Sequence, residues 1–240
     1  MLTVRNLYTS RAESKGNFQL KDISFSIEEG MIYTLLGRNG AGKSTLLEAI
    51  YGILSKAQGE VIYDGEKVER KSLSRYHREV ALVSNRLQWY AAHMTVTENI
   101  SLFEAMYPGF DRAFLMQCLK RFDFPWAPEN AMFSKLSTGQ LMQLQLAVAA
   151  ARHPKLMLLD EPFANLDPVV KTDIMDMLQT MVADTNMSIL VSTHLLDEID
   201  EVTDYVCVLD EGRLVRFGSR DEVLNGNIQS IKELLMGGEK

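Results

Sequence analysis

The hydrophobic positions in the first third of the chain follow the periods of β-strands. Ile23, Phe25 and Ile27 alternate with polar residues, which is typical of a strand with one buried face. Residues 31–36 form a short apolar run, which indicates a strand covered on both faces. Asp64 and Gly65 stand between two β-prone stretches and predict a hairpin turn. We therefore predict a β-rich N-terminal region that leads into a buried strand.

A helical region interrupts the strand pattern between about residues 85 and 152. Aromatic residues are frequent there, and Pro125 and Pro128 break the region. Further strands are predicted at 156–159, 188–192 and 205–209, with a helix that begins near Pro168. Because strands alternate with helices, we predict an α/β fold with a largely parallel sheet.

This alternation predicts one large domain of three parts within the 240 residues. Residues 1–85 and 153–220 form the α/β core with its N-terminal β region. Residues 86–152 form an inserted helical subdomain, and residues 221–240 form a short helical tail.

A glycine-rich segment at residues 37–45 follows the buried strand and precedes a predicted helix. Its spacing, G-x-x-x-x-G-K-[ST] in a strand–turn–helix context, predicts a phosphate-binding loop. Glycines let backbone N–H groups point at phosphate oxygens, and the helix N-terminus adds partial positive charge. Lys43 would neutralise the β- and γ-phosphates, and the Ser44 hydroxyl would ligate Mg2+. The predicted nucleotide-binding residues are Gly37, Asn39, Gly40, Ala41, Gly42, Lys43, Ser44 and Thr45.

Two acidic residues follow the apolar strand predicted at 156–159. Asp160 and Glu161 would lie at the carboxyl edge of the sheet, where open α/β folds bind ligands. Asp160 can hold Mg2+ directly or through water, and Glu161 can orient the attacking water or accept its proton. A solvated acidic turn is the alternative, and the phosphate loop earlier in the chain weighs against it.

Four short segments, together with the phosphate loop, follow the order of motifs in one family. Residues 136–140 (LSTGQ) resemble the LSGGQ signature of ABC ATPases, and residues 160–162 resemble their second nucleotide motif with its catalytic glutamate. Residues 164–167 resemble their D-loop, and residues 192–194 resemble the segment that carries their switch histidine. The chain thus resembles an ATP-binding subunit of an ABC transporter over nearly its whole length.

The resemblance implies a P-loop NTPase core of the ABC ATPase type, with a mixed sheet, an N-terminal antiparallel β region and an inserted α-helical subdomain. It implies ATP and Mg2+ as cofactors and ATP hydrolysis as the activity. The catalytic residues carried over are Glu161, His194 and Lys43. The metal site carried over comprises Ser44, Asp160 and Asn85.

The signature segment implies a second subunit. A helix is predicted from Gln140 to Arg152, and its N-terminus can donate N–H groups to a phosphate. In the family that phosphate belongs to ATP on the opposite subunit, so Ser137, Gly139 and Gln140 would complete the partner's site. Asn165 and Asp167 of the D-loop would also lie at the interface. We expect a head-to-tail dimer with two ATP molecules, and both half-sites are complete enough for a homodimer.

Several positions depart from the family's pattern. Thr138 replaces a signature glycine, Leu141 stands where a basic residue is frequent, and Arg38 stands where proline is frequent. Asn85 takes the place of the Q-loop glutamine, and Gln88 is the alternative.

The adenine-stacking aromatic is also missing from its expected segment. Residues 11–16 contain no aromatic, and Tyr8 and Phe18, which flank them, are as well explained as core residues. Adenine preference therefore comes from the resemblance.

The resemblance also implies a separately encoded membrane permease. An aromatic and methionine set would form a groove for a short permease helix or would fill the core of the helical subdomain: Trp89, Tyr90, Met94, Phe103 and Met106. Residues 107–111 (YPGFD) are similar to a stretch of an exporter branch with ABC-2 permeases. That similarity and the lack of an importer-type extension favour export.

Composition narrows the alternatives. The net charge of -7 gives no sign of a nucleic-acid surface, and no nucleic-acid partner is expected. Two cysteines make no disulfide framework, and no apolar run reaches the length of a membrane helix or a signal peptide. We expect a cytoplasmic protein held on the inner face of the membrane by its permease.

Two other functions are alternatives to a transporter subunit. A soluble ABC ATPase acting on ribosomes or nucleic acid usually has tandem cassettes, a coiled-coil arm or zinc clusters, which this chain lacks. A small-molecule kinase would leave residues 136–140 and His194 without a role.

Overall fold

Strands and helices alternate along the computed structural model, which describes residues 1–11, 18–54, 58–84, 90–122, 124, 131–196, 203–224 and 228–236. The strands are β1 (Leu2–Arg11), β2 (Phe18–Ile27), β3 (Ile32–Leu36), β4 (Gln58–Tyr63), β5 (Glu66–Lys67), β6 (Val80–Ser84), β7 (Leu156–Asp160), β8 (Ser188–Thr193), β9 (Tyr205–Asp210) and β10 (Arg213–Ser219). The helices are α1 (Lys43–Tyr51), α2 (Leu73–Glu79), α3 (Val96–Met106), α4 (Arg112–Arg121), α5 (Thr138–Ala150), α6 (Pro168–Thr185), α7 (Arg220–Leu224) and α8 (Ile228–Met236), with a 3-10 turn at Phe133–Lys135.

The larger sheet has six strands in the order β10-β9-β3-β8-β7-β6. Its pairs are parallel, except that β10 runs antiparallel to β9. In β7, Met157 and Leu159 pack with α5 and α6, whereas Leu156 and Leu158 pack with α1 on the other face. Burial on both faces explains the continuous apolar runs of these strands, and the largely parallel sheet confirms the prediction.

The smaller sheet is antiparallel, in the order β2-β1-β4-β5. Ile23, Phe25 and Ile27 on β2 are buried while the residues between them are exposed, as their alternation predicts. Asp64 and Gly65 have φ values of 47° and 80°, which suit the two central positions of a type I′ hairpin turn.

Helices α3, α4 and α5 occupy the region predicted to be helical. Thr95 and Glu98 form a reciprocal capping box at the start of α3, and Asp111 caps α4. Apolar side chains of these helices, such as Ile100 and Leu115, belong to the same buried cluster as residues of β6 and β7. The subdomain boundaries stay a prediction, because this single cluster continues from the helices into the sheet.

One helix boundary differs from the sequence-based expectation. Helix α5 begins at Thr138 rather than Gln140, because the Ser137 side chain caps it. The helical tail consists of α7 and α8, of which Ile231 is buried against the sheet. Across the described residues, no helix combines the length and the apolarity required to span a membrane.

Candidate active site

The phosphate loop at residues 37–44 leaves the carboxyl end of β3 and enters α1. Gly40 and Gly42 have φ values of 86° and 108°, in the left-handed region that residues with a Cβ rarely adopt. A Cβ on Gly37 would lie 2.5 Å from the backbone oxygen of Leu209. Glycine at these positions therefore permits both the curl of the loop and its close approach to β9.

Backbone N–H groups at the end of this loop are open to a ligand. The N–H groups of residues 42–44 find no acceptor among the described residues. Asn39 is exposed at the tip of the loop, whereas Ala41 and Thr45 are buried beneath it. Free N–H groups at a helix N-terminus favour anionic oxygens, as the motif predicts.

Lys43 folds back over the loop. Its Nζ donates to the backbone oxygens of Gly37 (2.7 Å) and Arg38 (3.2 Å), and lies 3.0 Å from Oε1 of Glu161. The lysine side chain is 4% exposed, so the carboxylate balances a buried charge. A phosphate in the loop would compete with Glu161 for this ammonium group.

Asp160 is the centre of a hydrogen-bond network at the sheet edge. Its Oδ1 accepts hydrogen bonds from the hydroxyls of Ser44 and Ser192, each at 3.0 Å, and its Oδ2 accepts one from Ser84 at 3.2 Å. Ser84, Asp160 and Ser192 are register partners on three adjacent parallel strands. The carboxylate is therefore buried and compensated by three hydroxyl donors.

Glu161 follows Asp160 with an unusual backbone. Its φ is 49°, a left-handed conformation that a residue with a Cβ keeps only when its surroundings hold it. Its N–H donates to Oγ of Ser192 (3.0 Å), and its Oε2 lies 3.4 Å from Nδ1 of His194. The Glu161 carboxylate thus lies between Lys43 and His194, next to the phosphate loop.

The signature segment at residues 136–140 has hydrogen bonds of its own. Oγ of Ser137 accepts from the N–H of Gln140 (3.2 Å), and Oε1 of Gln140 accepts from the N–H of Ser137 (2.9 Å). Ser137 and Thr138 are exposed. No hydrogen bond or ion pair between described residues joins residues 136–140 to the phosphate loop.

The D-loop residues lie beside the signature. A Cβ on Gly139 would lie 3.4 Å from Val170 at the start of α6. Asp167 caps α6, where its Oδ1 accepts from the N–H groups of Val169 and Val170. Asn165 is exposed with φ of 60°. The signature therefore lies against the D-loop and the start of α6, and the D-loop in turn joins the acidic pair, where the N–H of Ala164 donates to the backbone oxygen of Glu161 (3.2 Å).

Comparison with known proteins identifies the family that has this set of motifs. A family model described as ABC transporter matches residues 20–164, more than half of the chain. The chain belongs to the ABC transporter family. The ABC transporter ATP-binding protein YtrB of Bacillus subtilis (strain 168) is 32% identical to it over 208 residues, which cover 87% of this chain and 69% of YtrB. The chain is the ATP-binding cassette of a transporter and an ABC ATPase.

Solved ABC cassettes confirm the predicted fold class. The dimeric ATP-binding cassette MJ0796, in a post-hydrolysis state with ADP and Pi, superposes with a TM-score of 0.80 at 24% identity. The superposition covers 91% of this chain and 98% of the MJ0796 chain. The protein cbiO1 from Clostridium perfringens, part of the ABC transporter complex cbiONQ, superposes with a TM-score of 0.76 at 28% identity. The superposition covers 99% of this chain and 95% of the cbiO1 chain.

Some predicted positions of the cassette lie outside the described residues. Asn85, its alternative Gln88, and Trp89 all fall in the gap at 85–89. The segment in which an adenine-stacking aromatic was sought falls largely in the gap at 12–17. The Q-loop and adenine contacts therefore stay predictions.

Two serines of the cassette's site were not assigned a role from the sequence. Ser84 and Ser192 both donate to the carboxylate of Asp160. A local signal for them exists, because each is a hydroxyl residue near the carboxyl end of an otherwise apolar parallel strand. Their convergence on one carboxylate depends on strand register, which no local signal gives.

An apolar groove lies between the sheet and the helices of the cassette. The ring of Tyr90 stacks on Phe133 with centroids 4.0 Å apart, and the guanidinium of Arg152 lies 4.1 Å over the ring of Tyr107. The lining residues are Tyr51, Leu82, Val83, Tyr90, Asn99, Ile100, Phe103, Tyr107, Phe133, Leu144, Gln145, Val148, Ala149 and Arg152.

The aromatic and methionine set, predicted either to form a permease groove or to fill the core, divides in the structure: Tyr90 and Phe103 line the groove and also pack against the buried cluster. Met94 and Met106 are not among the lining residues of the groove. Met106 lies at the end of α3 with 63% exposure, so it projects to solvent instead.

Proposed function

We propose that this cassette hydrolyses ATP at the interface of a head-to-tail homodimer and thereby drives a conformational change in a separate membrane permease. The observation that carries the proposal is a site split in two. The phosphate loop, Asp160, Glu161 and His194 converge on one edge of the sheet, whereas Ser137 at the start of α5 is exposed and, among the described residues, makes no hydrogen bond to that cluster. A second copy of the chain would supply the missing half.

The oxygen donors present fit Mg2+. Ser44 and Asp160 offer a hydroxyl and a carboxylate 3.0 Å apart, and Mg2+ is commonly held by one or two protein oxygens together with substrate phosphates. Among the described residues, no group of three or more His, Cys, Asp or Glu side chains could hold a metal ion. We propose that Ser44 and Asp160 hold Mg2+, which neutralises phosphate charge; Asn85 stays a predicted third ligand.

The contacts of Lys43, Glu161 and His194 support the remaining proposed roles. Lys43 would move its ammonium from Glu161 to the β- and γ-phosphates, whose negative charge is greater than that of one carboxylate. Released from Lys43, Glu161 would orient a water and accept its proton, while His194 at 3.4 Å would steady the carboxylate and contact the γ-phosphate. N–H groups at the start of α5 of the second protomer would bind the same phosphate.

The substitution Glu161→Gln tests the dimer and the chemistry together. The variant should bind ATP, lose turnover and elute as a dimer with ATP but as a monomer with ADP. A matched control, Glu161→Gln with Ser137→Glu, leaves the phosphate loop intact but sets a carboxylate where the partner's phosphate would lie. It should bind ATP and stay monomeric. A strictly monomeric Glu161→Gln protein with ATP, or full dimer formation by the control, would contradict the proposed head-to-tail dimer with ATP at its interface.

We also propose that a short amphipathic helix of the permease binds the groove. Its walls are aromatic and aliphatic, and the guanidinium of Arg152 lies over the ring of Tyr107 among them. Phe103→Glu should release the cassette from permease-containing membranes while ATPase activity of the isolated cassette survives. Leu102→Glu, a neighbouring exposed position outside the groove lining, should have no effect. Loss of folding in Phe103→Glu would instead assign these aromatics to the core.

The permease is proposed to be an exporter of the ABC-2 type, on the basis of residues 107–111. Tyr107 lines the groove that we propose for the permease helix, and Asp111 caps α4, so this stretch adjoins the proposed permease contact. Inside-out membrane vesicles containing both subunits should accumulate substrate when ATP is added outside, and an importer would not.

A further inference from the structure

The hydroxyl of Ser192 bridges the two acids of the site. Ser192 is fully buried on β8, directly opposite Asp160 in the parallel register of β7 and β8. Its Oγ accepts from the N–H of Glu161 and donates to Oδ1 of Asp160, each at 3.0 Å. One hydroxyl therefore contacts the side chain of Asp160 and the backbone of Glu161.

The backbone of Glu161 needs such a contact. Its φ of 49° is a sparsely populated conformation that persists only where neighbouring groups hold it. This conformation directs the carboxylate to Lys43 (3.0 Å) and His194 (3.4 Å) rather than to solvent. The N–H of Glu161 donates its hydrogen bond to Ser192, so Ser192 holds the backbone in this conformation.

We infer that Ser192 is a positioning residue for ATP hydrolysis, which fixes the direction of the Glu161 carboxylate through its backbone N–H. This inference rests on the proposed role of Glu161. A catalytic carboxylate displaced by a small backbone rotation would still lie near the phosphates, but it would no longer hold water in line for attack. The expected defect is thus in turnover rather than in nucleotide binding.

The same strand offers a matched control. Ser188 is also fully buried on β8, accepts from the N–H of Gly30 (2.9 Å) and donates to the backbone oxygen of Glu28 (2.8 Å). It lies at the opposite end of the strand from Ser192. Ser188→Ala therefore removes the same number of bonds from the same strand without touching Asp160 or Glu161.

The experiment compares wild type with Ser192→Ala, Ser188→Ala and Glu161→Gln as full-length chains. Steady-state ATPase assays give kcat, KM for ATP and the Mg2+ requirement, and thermal melts report folding. Ser192→Ala should lower kcat by up to about a hundredfold, the loss expected when a catalytic group is misplaced by about 1 Å, with KM changed less than about twofold. Ser188→Ala should lower the melting temperature comparably and keep kcat.

A graded variant covers the case in which Ser192→Ala fails to fold. Ser192→Cys keeps a similar volume with a weak donor and acceptor, so its kcat should fall between those of wild type and Ser192→Ala. A Ser192→Cys protein that folds and retains wild-type kcat overturns the inference, even where the alanine variant cannot be measured.

Three further results would overturn it. These are wild-type kcat in Ser192→Ala, an equal loss of kcat in Ser188→Ala, or full recovery of Ser192→Ala at high Mg2+, which would assign the hydroxyl to Asp160 and the metal. Failure of the proposed function is a separate outcome. Normal turnover in Glu161→Gln would remove Glu161 from its role, whereas an inactive Glu161→Gln protein beside a fully active Ser192→Ala protein would sink this inference alone.

Discussion

Replacing Glu161 by glutamine should tighten ADP binding, because the Lys43–Glu161 ion pair competes with phosphate. Nζ of Lys43 lies 3.0 Å from Oε1 of Glu161, and the lysine side chain is 4% exposed. For the ammonium to reach a phosphate, this contact must be given up. Glutamine keeps the size of the side chain but removes its charge. Lys43 therefore gives up less interaction free energy when it moves to a phosphate.

The magnitude follows from the contact distance and the exposure. Two unit charges 3.0 Å apart attract by about 5.5 kcal/mol at an effective dielectric constant of about 20. Desolvation offsets most of this, and a hydrogen bond to a charged group contributes about 1.5–3 kcal/mol net. Glu161 is 28% exposed, so the lower end applies. Since about 1.4 kcal/mol equals a factor of ten, the Kd for ADP should fall about tenfold.

Isothermal titration calorimetry with ADP at low protein concentration measures this directly, because neither turnover nor ATP-dependent dimerisation contributes. Glu211→Gln is the matched control, since it removes one negative charge from an exposed residue beside Gly212, whose N–H donates to Ala41 in the phosphate loop (3.0 Å). An unchanged Kd in Glu161→Gln, or an equal gain in Glu211→Gln, would show that the ion pair does not limit binding.

Three other measurements test separate features. Gly42→Ala places a Cβ at φ of 108° and should cost about 1–3 kcal/mol of unfolding free energy, measured in urea, together with weaker ADP binding; unchanged values would refute the loop geometry. Asp167→Ala should lower the unfolding free energy by about 1 kcal/mol through loss of the α6 cap, whereas Asp167→Asn should keep it. Burial raises the pKa of Cys118 to about 11 and also raises the pKa of Cys207, so both stay protonated thiols at pH 8. A thiol reagent at pH 8 should label neither cysteine in the native protein and both after unfolding, and rapid native labelling would contradict their burial.

The local sequence was sufficient to predict those parts of the structure that depend on residues close together along the chain. The phosphate loop needs glycine at fixed positions before a helix, and Gly40, Gly42 and Lys43 supplied that pattern. The error at α5 was avoidable for the same reason: Ser137 and Gln140 have the spacing of a capping box, which predicts a helix that begins at Thr138. The groove prediction was only partly correct, because helical period cannot tell an aromatic in a cleft from a methionine at an exposed helix end.

The sequence by itself thus determined the order of strands and helices, the loop that curls for phosphate, and the two acids at the end of a buried strand. The tertiary structure decided which distant groups meet there: Lys43 with Glu161, and the hydroxyls of Ser84 and Ser192 with Asp160. The physical reason is that parallel strands are joined by long crossovers, so their register is fixed by packing of the whole sheet between its two layers and not by any turn between them.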